Sequence, residues 1–386
     1  MTSHGVARTA FRPRTQEQLQ QDLLKISKYR NLEDGLRQRV KDGLFDRETF
    51  QLTSQLLRLN PEYYTVWNAR RRCMNLTILS QSASSSTPSL TQASASLATR
   101  TQPSQTPSPD GPAEATMSPD SHSIRAELLF TVPLLIEFPK CYWIWKYRLW
   151  VLSQAIDRLP VDAARAIWED ELGLVAKMLD KDRRNFHAWG YRRHVVAQLE
   201  SLIPAGHSMV ESEFEYTTKM ISKDLSNFSA WHNRSQLIPR LLKEREADDE
   251  AREAFLETEL ELVNEGLNVG PEDQSLWYYH GYLVSNMAEA SGMAAITPHL
   301  SLADRRSHLI SQIGNVRDLL EDYSDMKTIY EALVEYTVLV GRLENRQLLG
   351  EERVDVQVWL EKLRLLDPKR NGRWGDLERQ LGLNDG

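Results

Sequence analysis

A chain of 386 residues, 41% hydrophobic and 26% charged, is long enough for one large or two ordinary globular units. A formal net charge of -7 and a pI near 5.8 argue against nucleic-acid binding, which rests on neutralising phosphates with Lys and Arg. Only two cysteines, Cys73 and Cys141, exclude a disulfide framework and a Cys-rich zinc site, and no apolar run of about 18 residues offers a membrane span.

Residues 1–45 read as a short N-terminal segment and a first helix. The first thirty carry no apolar stretch of signal-peptide length, so a soluble protein of a reducing, cytoplasmic compartment is expected. From residue 46 to 386 the chain reads as helical repeats. Leu52, Leu56 and Leu59 form the apolar stripe of an amphipathic helix, Asn60-Pro61 breaks it, and "NPEYYTVWNARR" begins another. Gln81 to Ser123 follows, 43 residues of which 18 are Ser or Thr and six are Pro. It has too little apolar surface to offset the cost of ordering and is expected to be a disordered insertion. Its Ser-Pro and Thr-Pro dipeptides, Ser118-Pro119 among them, suit proline-directed phosphorylation but arise easily in such composition.

Beyond the insertion the first pattern returns. "PKCYWIWKYRL", "RNFHAWGYRRHVV", "SNFSAWHNRSQLI" and the weaker "DQSLWYYHGYL" align with it on Trp67, Trp145, Trp189, Trp231 and Trp277. Three residues before each Trp stands Tyr64, Tyr142, Phe186 or Phe228, and Gln274 in the fifth copy. Three residues after stands Arg70, Arg148, Arg192 or Arg234, and His280 in the fifth. The steps between Trp residues are 78, 44, 42 and 46, and the first becomes ordinary once the insertion is removed. A period in the forties marks stacked supersecondary units. Offsets of three place aromatic, Trp and Arg on one helical face. A second stripe precedes each Trp, as in Trp168, Leu172, Val175 and Leu179, and no segment alternates like a strand. The expected fold is all-α: helical hairpins stacked into an α-α superhelix, with Ala288 to Pro298 as a second loop.

The recurring Trp and Arg read as packing residues, the Trp filling space between hairpins and the Arg bonding carbonyls or a carboxylate of the next unit. Function belongs where one copy departs from the others. Lys140, five residues before Trp145, is a cation suited to phosphate, and His187 can donate to an anion. By composition alone Lys140 reads better as a solvated surface lysine. His194 and His207 stand alone and read as surface or packing residues, and the acidic run 243–262 as a solvated helix. There is no phosphate-binding glycine loop, no HExxH, no GxSxG and no cysteine pair at metal spacing, so the chain carries no complete catalytic machine.

In combination "LTSQLLRLNPEYYTVWNARR", "FPKCYWIWKYRLWVL", "RNFHAWGYRRHVV", "EFEYTTKMISKDLSNFSAWHNRSQLI" and "EDQSLWYY" resemble the repeats of protein prenyltransferase α subunits, from about Asp46 to Tyr279. A weaker continuation, "LDPKRNGRWGDLERQL", lies near the end. Within that family the pattern is nearest to the type II branch, the Rab geranylgeranyltransferases, in the short form seen in fungi. The "HGV" that holds His4 ahead of a basic segment agrees with that branch. The resemblance implies a heterodimer in which the α chain wraps a β subunit holding the catalytic zinc, with no cofactor in the α chain. It implies transfer from geranylgeranyl diphosphate to C-terminal cysteines of Rab GTPases presented by an escort protein. It also implies supporting roles on the diphosphate side for Lys140 and His187, and substrate contacts for Tyr142, Asn185 and Phe186. The family commonly has Tyr where Phe186 stands, which removes any hydroxyl role there. Two other readings compete: a shared α subunit of farnesyltransferase and geranylgeranyltransferase type I, and a non-catalytic helical-repeat adaptor.

Overall fold

A computed structural model describes residues 15–79, 118–202, 208–288 and 295–383. His4 and His207 lie outside the described residues, as does most of the expected insertion. Every regular element among the described residues is helical: α1 (Gln16–Lys41), α2 (Arg47–Leu59), α3 (Tyr64–Cys73), α4 (Pro119–Glu137), α5 (Tyr142–Arg158), α6 (Val161–Lys181), α7 (Phe186–Leu202), α8 (Val210–Lys223), α9 (Phe228–Glu244), α10 (Asp249–Val269), α11 (Gln274–Ala288), α12 (Leu302–Asp318), α13 (Lys327–Leu343), α14 (Gly350–Leu366) and α15 (Asn371–Gln380). The chain forms two compact units, residues 1–178 with 190–202, and residues 179–189 with 203–386. Each buries its own core, around Leu57, Trp67, Ile144 and Leu152 in the first and Trp231, Val263, Leu283 and Leu333 in the second.

One turn builds all the hairpins. The amides of Tyr63, Cys141, Asn185, Asn227 and Asp273 donate to the carbonyls of Asn60, Phe138, Asp182, Asp224 and Gly270, each three residues earlier. Pro61, Pro139 and Pro271 occupy the second position of three of these turns, where a fixed φ is an advantage. The repeated Trp then fastens its own turn. Its indole N–H donates to the carbonyl six residues before it: Trp67 to Pro61 at 2.8 Å, Trp145 to Pro139 at 2.9 Å, Trp189 to Arg183 at 2.8 Å, Trp231 to Leu225 at 2.7 Å and Trp277 to Pro271 at 2.6 Å. The same turn recurs twice more, where the sequence shows only a weak continuation. Met326 and Arg370 donate to Tyr323 and Asp367. Tyr330 stands in the Trp position and its hydroxyl donates to Ser324, again six residues back, at 2.8 Å. Trp374 holds that position in the last hairpin and is buried. A Tyr in place of Trp hid hairpin α12–α13 from a search on Trp.

The repeated Arg joins neighbouring hairpins. From α3, Arg70 grips both oxygens of Glu127 on α4. Arg148 on α5 does the same to Glu171 on α6, at 2.8 and 2.5 Å. Arg234 on α9 holds Glu259 on α10 at 2.7 and 2.6 Å. Each Arg also donates to a threonine on the first helix of its own hairpin, Thr53, Thr131 or Thr217. Each Glu takes a further bond from a tyrosine, Tyr147, Tyr191 or Tyr279, at 2.9, 2.6 and 2.5 Å. Burial first, and then the glutamate charge, raise the pKa of all three phenols, so they remain donors. Their rings lie on the preceding Trp, with centroids 4.6 Å apart for Trp67–Tyr147, 5.0 Å for Trp145–Tyr191 and 4.6 Å for Trp231–Tyr279. Arg192 is buried like its counterparts.

The fifth copy replaces this ionic link with a neutral one. His280 lies wholly buried between Tyr336 of α13 and Gln312 of α12. Gln312 Oε1, 3.1 Å away, can only accept, so His280 Nε2 carries the proton and Nδ1 accepts from the Tyr336 hydroxyl at 2.7 Å. Burial lowers the His280 pKa from 6.5 to about 4.

Two expectations need correction. Residues 118–123 are not loop: Ser118 caps α4 through the Ser121 amide, Pro119 is its first residue, and Ile124 is already fully buried. The Ser118-Pro119 dipeptide is thus a helix start. The aromatic three residues before each Trp also does not share its buried face. Trp and Arg are buried, whereas Tyr64, Tyr142, Phe186 and Phe228 are 53%, 48%, 67% and 45% exposed. At 3.6 residues per turn the aromatic and the Arg fall about 60° to opposite sides of the Trp, and the aromatic is the first residue of its helix.

Breaking a buried link should cost more than deleting it. Arg148→Met or Glu171→Met alone leaves one charge unpaired and should lower the unfolding free energy by about 3–5 kcal/mol, while the double variant should recover most of the loss. Additive losses in denaturant unfolding would refute the link. His280 supplies a pH test. The unfolded chain takes up its proton near pH 6.5 and the folded chain only near 4. Stability from this group is therefore full above 6.5 and lost as pH falls towards 4. Relative to His280→Gln, the native protein should lose additional stability across that window. Parallel stability–pH curves for the two would refute this.

Candidate functional site

Each hairpin presents the beginning of its second helix, and the five residues singled out from the sequence lie at two of these beginnings. In the first unit Lys140 is exposed on the turn that ends at Cys141, and Tyr142 opens α5. The Tyr142 ring sits edge-on to Trp143 at 5.2 Å, and Trp143 lies 5.3 Å from Tyr64. In the second unit Phe186 opens α7, with His187 next to it and the two rings 4.1 Å apart. The dipole at a helix start favours anions, so a cation at the one start and an imidazole at the other each suit a phosphate group.

Asn185 differs from the other four. It is buried, and its Oδ1 accepts from the amides of His187 and Ala188 at 3.1 and 3.3 Å. Asn227 does the same one repeat later, accepting from Ala230 at 3.2 Å. The Asn185 carbonyl oxygen is thus committed to capping α7, and this residue positions Phe186 and His187 from below. Recurrence of Asn at the same offset in "RRNF" and "LSNF" is the signal for this role.

The remaining candidates are structural. Cys73 and Cys141 are free and buried, and burial raises both thiols to about 11, so neither is a nucleophile at neutral pH. His194 lies against Trp168, and burial, then Lys146, lower its pKa. Two sets of residues escaped the sequence reading, Glu127, Glu171 and Glu259, and Tyr147, Tyr191 and Tyr279. The tyrosines stand two residues after a Trp in three copies, a pattern visible in the sequence; the glutamates lie in variable amphipathic surroundings that conceal them. No described helix is long and apolar enough to cross a membrane.

Comparison with known proteins agrees with this geometry. The pattern described as "Protein prenyltransferase alpha subunit repeat" matches residues 46–77, 124–155, 168–199, 210–241 and 256–287, which are the first five hairpins. A Saccharomyces cerevisiae protein, "Geranylgeranyl transferase type-2 subunit alpha", is 31% identical over 381 residues, covering 98% of this chain and 99% of its own length. A Candida albicans protein of the same description is 28% identical, covering 97% and 96%. The human protein so described is 32% identical over 262 residues, which are 67% of this chain but 38% of the human one. Among solved structures, a chain of "Candida albicans protein geranylgeranyltransferase-I complexed with GGPP" aligns over 92% of this chain with a TM-score of 0.57 at 17% identity, a likeness of fold. The fold class is all-α, an α-α superhelix of hairpin repeats.

The two kinds of site residue should separate on mutation. Asn185→Ala should destabilise by about 0.5–2 kcal/mol, as losing a cap does, and Asn227→Ala likewise. Phe186→Ala and Tyr142→Ala, at exposed positions, should stay within about 0.5 kcal/mol of the native protein. Thermal unfolding of the four variants under one condition checks this ordering, and a Phe186→Ala loss as large as that of Asn185→Ala would contradict it.

Proposed function

The chain belongs to the family of geranylgeranyl transferase type-2 α subunits, and from that premise we propose how it works. It pairs with a prenyltransferase β subunit and transfers geranylgeranyl from geranylgeranyl diphosphate to C-terminal cysteines of Rab GTPases presented by an escort protein. The observation that carries this reading is the match to the yeast type-2 α subunit, which runs through essentially the full length of both chains. The type I likeness is one of fold at 17% identity and supports that alternative less. The adaptor reading loses ground for the same reason. Two free, buried cysteines suit the reducing cytoplasm in which we place the enzyme.

Both cysteines of this chain are buried, and we assign the catalytic zinc to the β subunit, where it would hold the acceptor cysteine as a thiolate. The α chain's part is electrostatic. The leaving diphosphate gains negative charge as the carbon–oxygen bond breaks, and a cation beside it binds the transition state more tightly than the ground state. By the family resemblance we assign Lys140 that role, His187 a supporting donor's role, and Tyr142 and Phe186 substrate contacts, each within its own unit. Asn185 caps the start of α7, on which Phe186 and His187 stand.

Copurification of the chain with its β subunit, followed by transfer assays, tests this function. Prenylation of a Rab that requires the escort protein supports it; efficient transfer to CaaX peptides without any escort favours the type I reading. For the site, Lys140→Ala should slow single-turnover transfer about 10²-fold in a fully assembled complex. Lys140→Arg should rescue only in part, because a planar fork replaces a compact ammonium. A wild-type rate for Lys140→Ala would make the lysine a solvated surface residue and place the diphosphate contacts in the β subunit.

A further inference from the structure

We propose that Glu253, Glu257 and His308 form a binding site for a divalent transition-metal ion of the zinc class, which clamps α10 to α12. Glu253 and Glu257 stand one turn apart on α10 and so share a face. From α12, His308 reaches across to place Nε2 3.0 Å from Glu253 Oε1. One ligand atom from each of the three residues lies within 4.8 Å of the other two. A tetrahedral ion with bonds of about 2.0–2.2 Å needs its ligand atoms roughly 3.3 Å apart, within reach of small side-chain rotations. An imidazole with two carboxylates is a donor set for zinc and its neighbours, whereas calcium and magnesium prefer oxygen alone. Two carboxylates also match the charge of a divalent cation.

A plain His308–Glu253 contact accounts for two of the three residues and leaves Glu257 unexplained. Glu257 makes no ion pair or hydrogen bond among the described residues, although it faces the same cluster. The nearby arginines in sequence do not neutralise it. Arg252 is turned to the carbonyls of Ala247 and Ile296, and Arg305 is buried against those of Met287, Thr297 and Leu300. With three protein ligands the fourth position stays open to water. The ion would join hairpin α10–α11 to α12 at a point where the Arg–Glu link of the earlier repeats has given way to the neutral His280 network.

Elemental analysis of the purified α–β complex, stripped with chelator and dialysed against micromolar zinc, tests the site. Wild type should hold one more equivalent of zinc than either Glu257→Gln or His308→Gln; zinc bound by the partner subunit contributes equally to all three. Glu257→Gln alters a solvent-exposed residue and leaves the His308–Glu253 contact intact, so it keeps the fold while removing a ligand. Equal zinc content in the three complexes overturns the proposal.

Discussion

The buried arginine–carboxylate link is the constraint on which the rest of this structure depends. A helical hairpin cannot bury both of its faces alone, so neighbours must meet in one register. Dispersion and apolar burial between amphipathic helices tolerate sliding; a bidentate guanidinium does not. Arg70, Arg148 and Arg234 each meet a single glutamate, and each is also held by a threonine of its own hairpin. Four donor and acceptor groups are satisfied at once, in surroundings where one missing partner would be costly. Buried ion pairs add little net stability over well-packed apolar residues, so the main gain here is a fixed register between hairpins. The tyrosine that completes each cluster couples this register to packing, since the ring that stacks on one Trp donates its hydroxyl to the glutamate that the preceding Arg holds.

Much of this was legible in the sequence because one turn geometry demands the same atoms each time. An indole that must reach a carbonyl six residues back fixes the distance from break to Trp, and an Arg three residues later is carried to the next hairpin by helix geometry. The period, the hairpins and a link from each Arg to carbonyls or a carboxylate of the next unit could all be read from that. The acceptors themselves could not. Glu127, Glu171 and Glu259 look like any glutamate on an amphipathic helix, and only the three-dimensional neighbour makes them buried. Hairpin α12–α13 was hidden for the opposite reason: Tyr330 preserves the hydrogen bond while changing the residue type. The boundary of the insertion was misplaced because Ser and Pro serve equally in loops and at helix starts, and Ser118-Pro119 uses them for the latter.

The sequence singles out the positions of the candidate site but does not reveal that one of them, Asn185, is buried and caps a helix. Lys140 and His187 depart from their counterparts, whereas Tyr142 and Phe186 repeat Tyr64 and Phe228; Lys140, Tyr142 and Phe186 are exposed and His187 is half-buried. Asn185 departs from three of its counterparts but not from the fourth. Asn227 repeats it, and both side chains cap the helix that follows. Helix starts concentrate this ambiguity, because the groups that attract an anionic ligand are the same backbone amides that a capping side chain satisfies.

The fifth repeat shows what the fold can exchange and what it keeps. Arg and Glu become His280 and Gln312, with Tyr336 completing the contact, and no formal charge remains in that cluster. A guanidinium offers five donors and no acceptor, so its partner must be a carboxylate or carbonyls. A neutral imidazole offers one of each, so it can join a donor hydroxyl to an acceptor amide. The substitution is tolerated because every buried polar atom of the new trio still has a partner, and burial holds the histidine neutral through the physiological range. Across both versions the conserved quantity is satisfaction of buried polar groups at the hairpin junction, with charge as one means of achieving it. The turn and its carbonyl acceptor persist through all seven hairpins, whereas the junction chemistry changes at the fifth. Surfaces that lie outside both, such as the exposed residues that open α3, α5, α7 and α9, are therefore where this chain could acquire its chemistry without disturbing its fold.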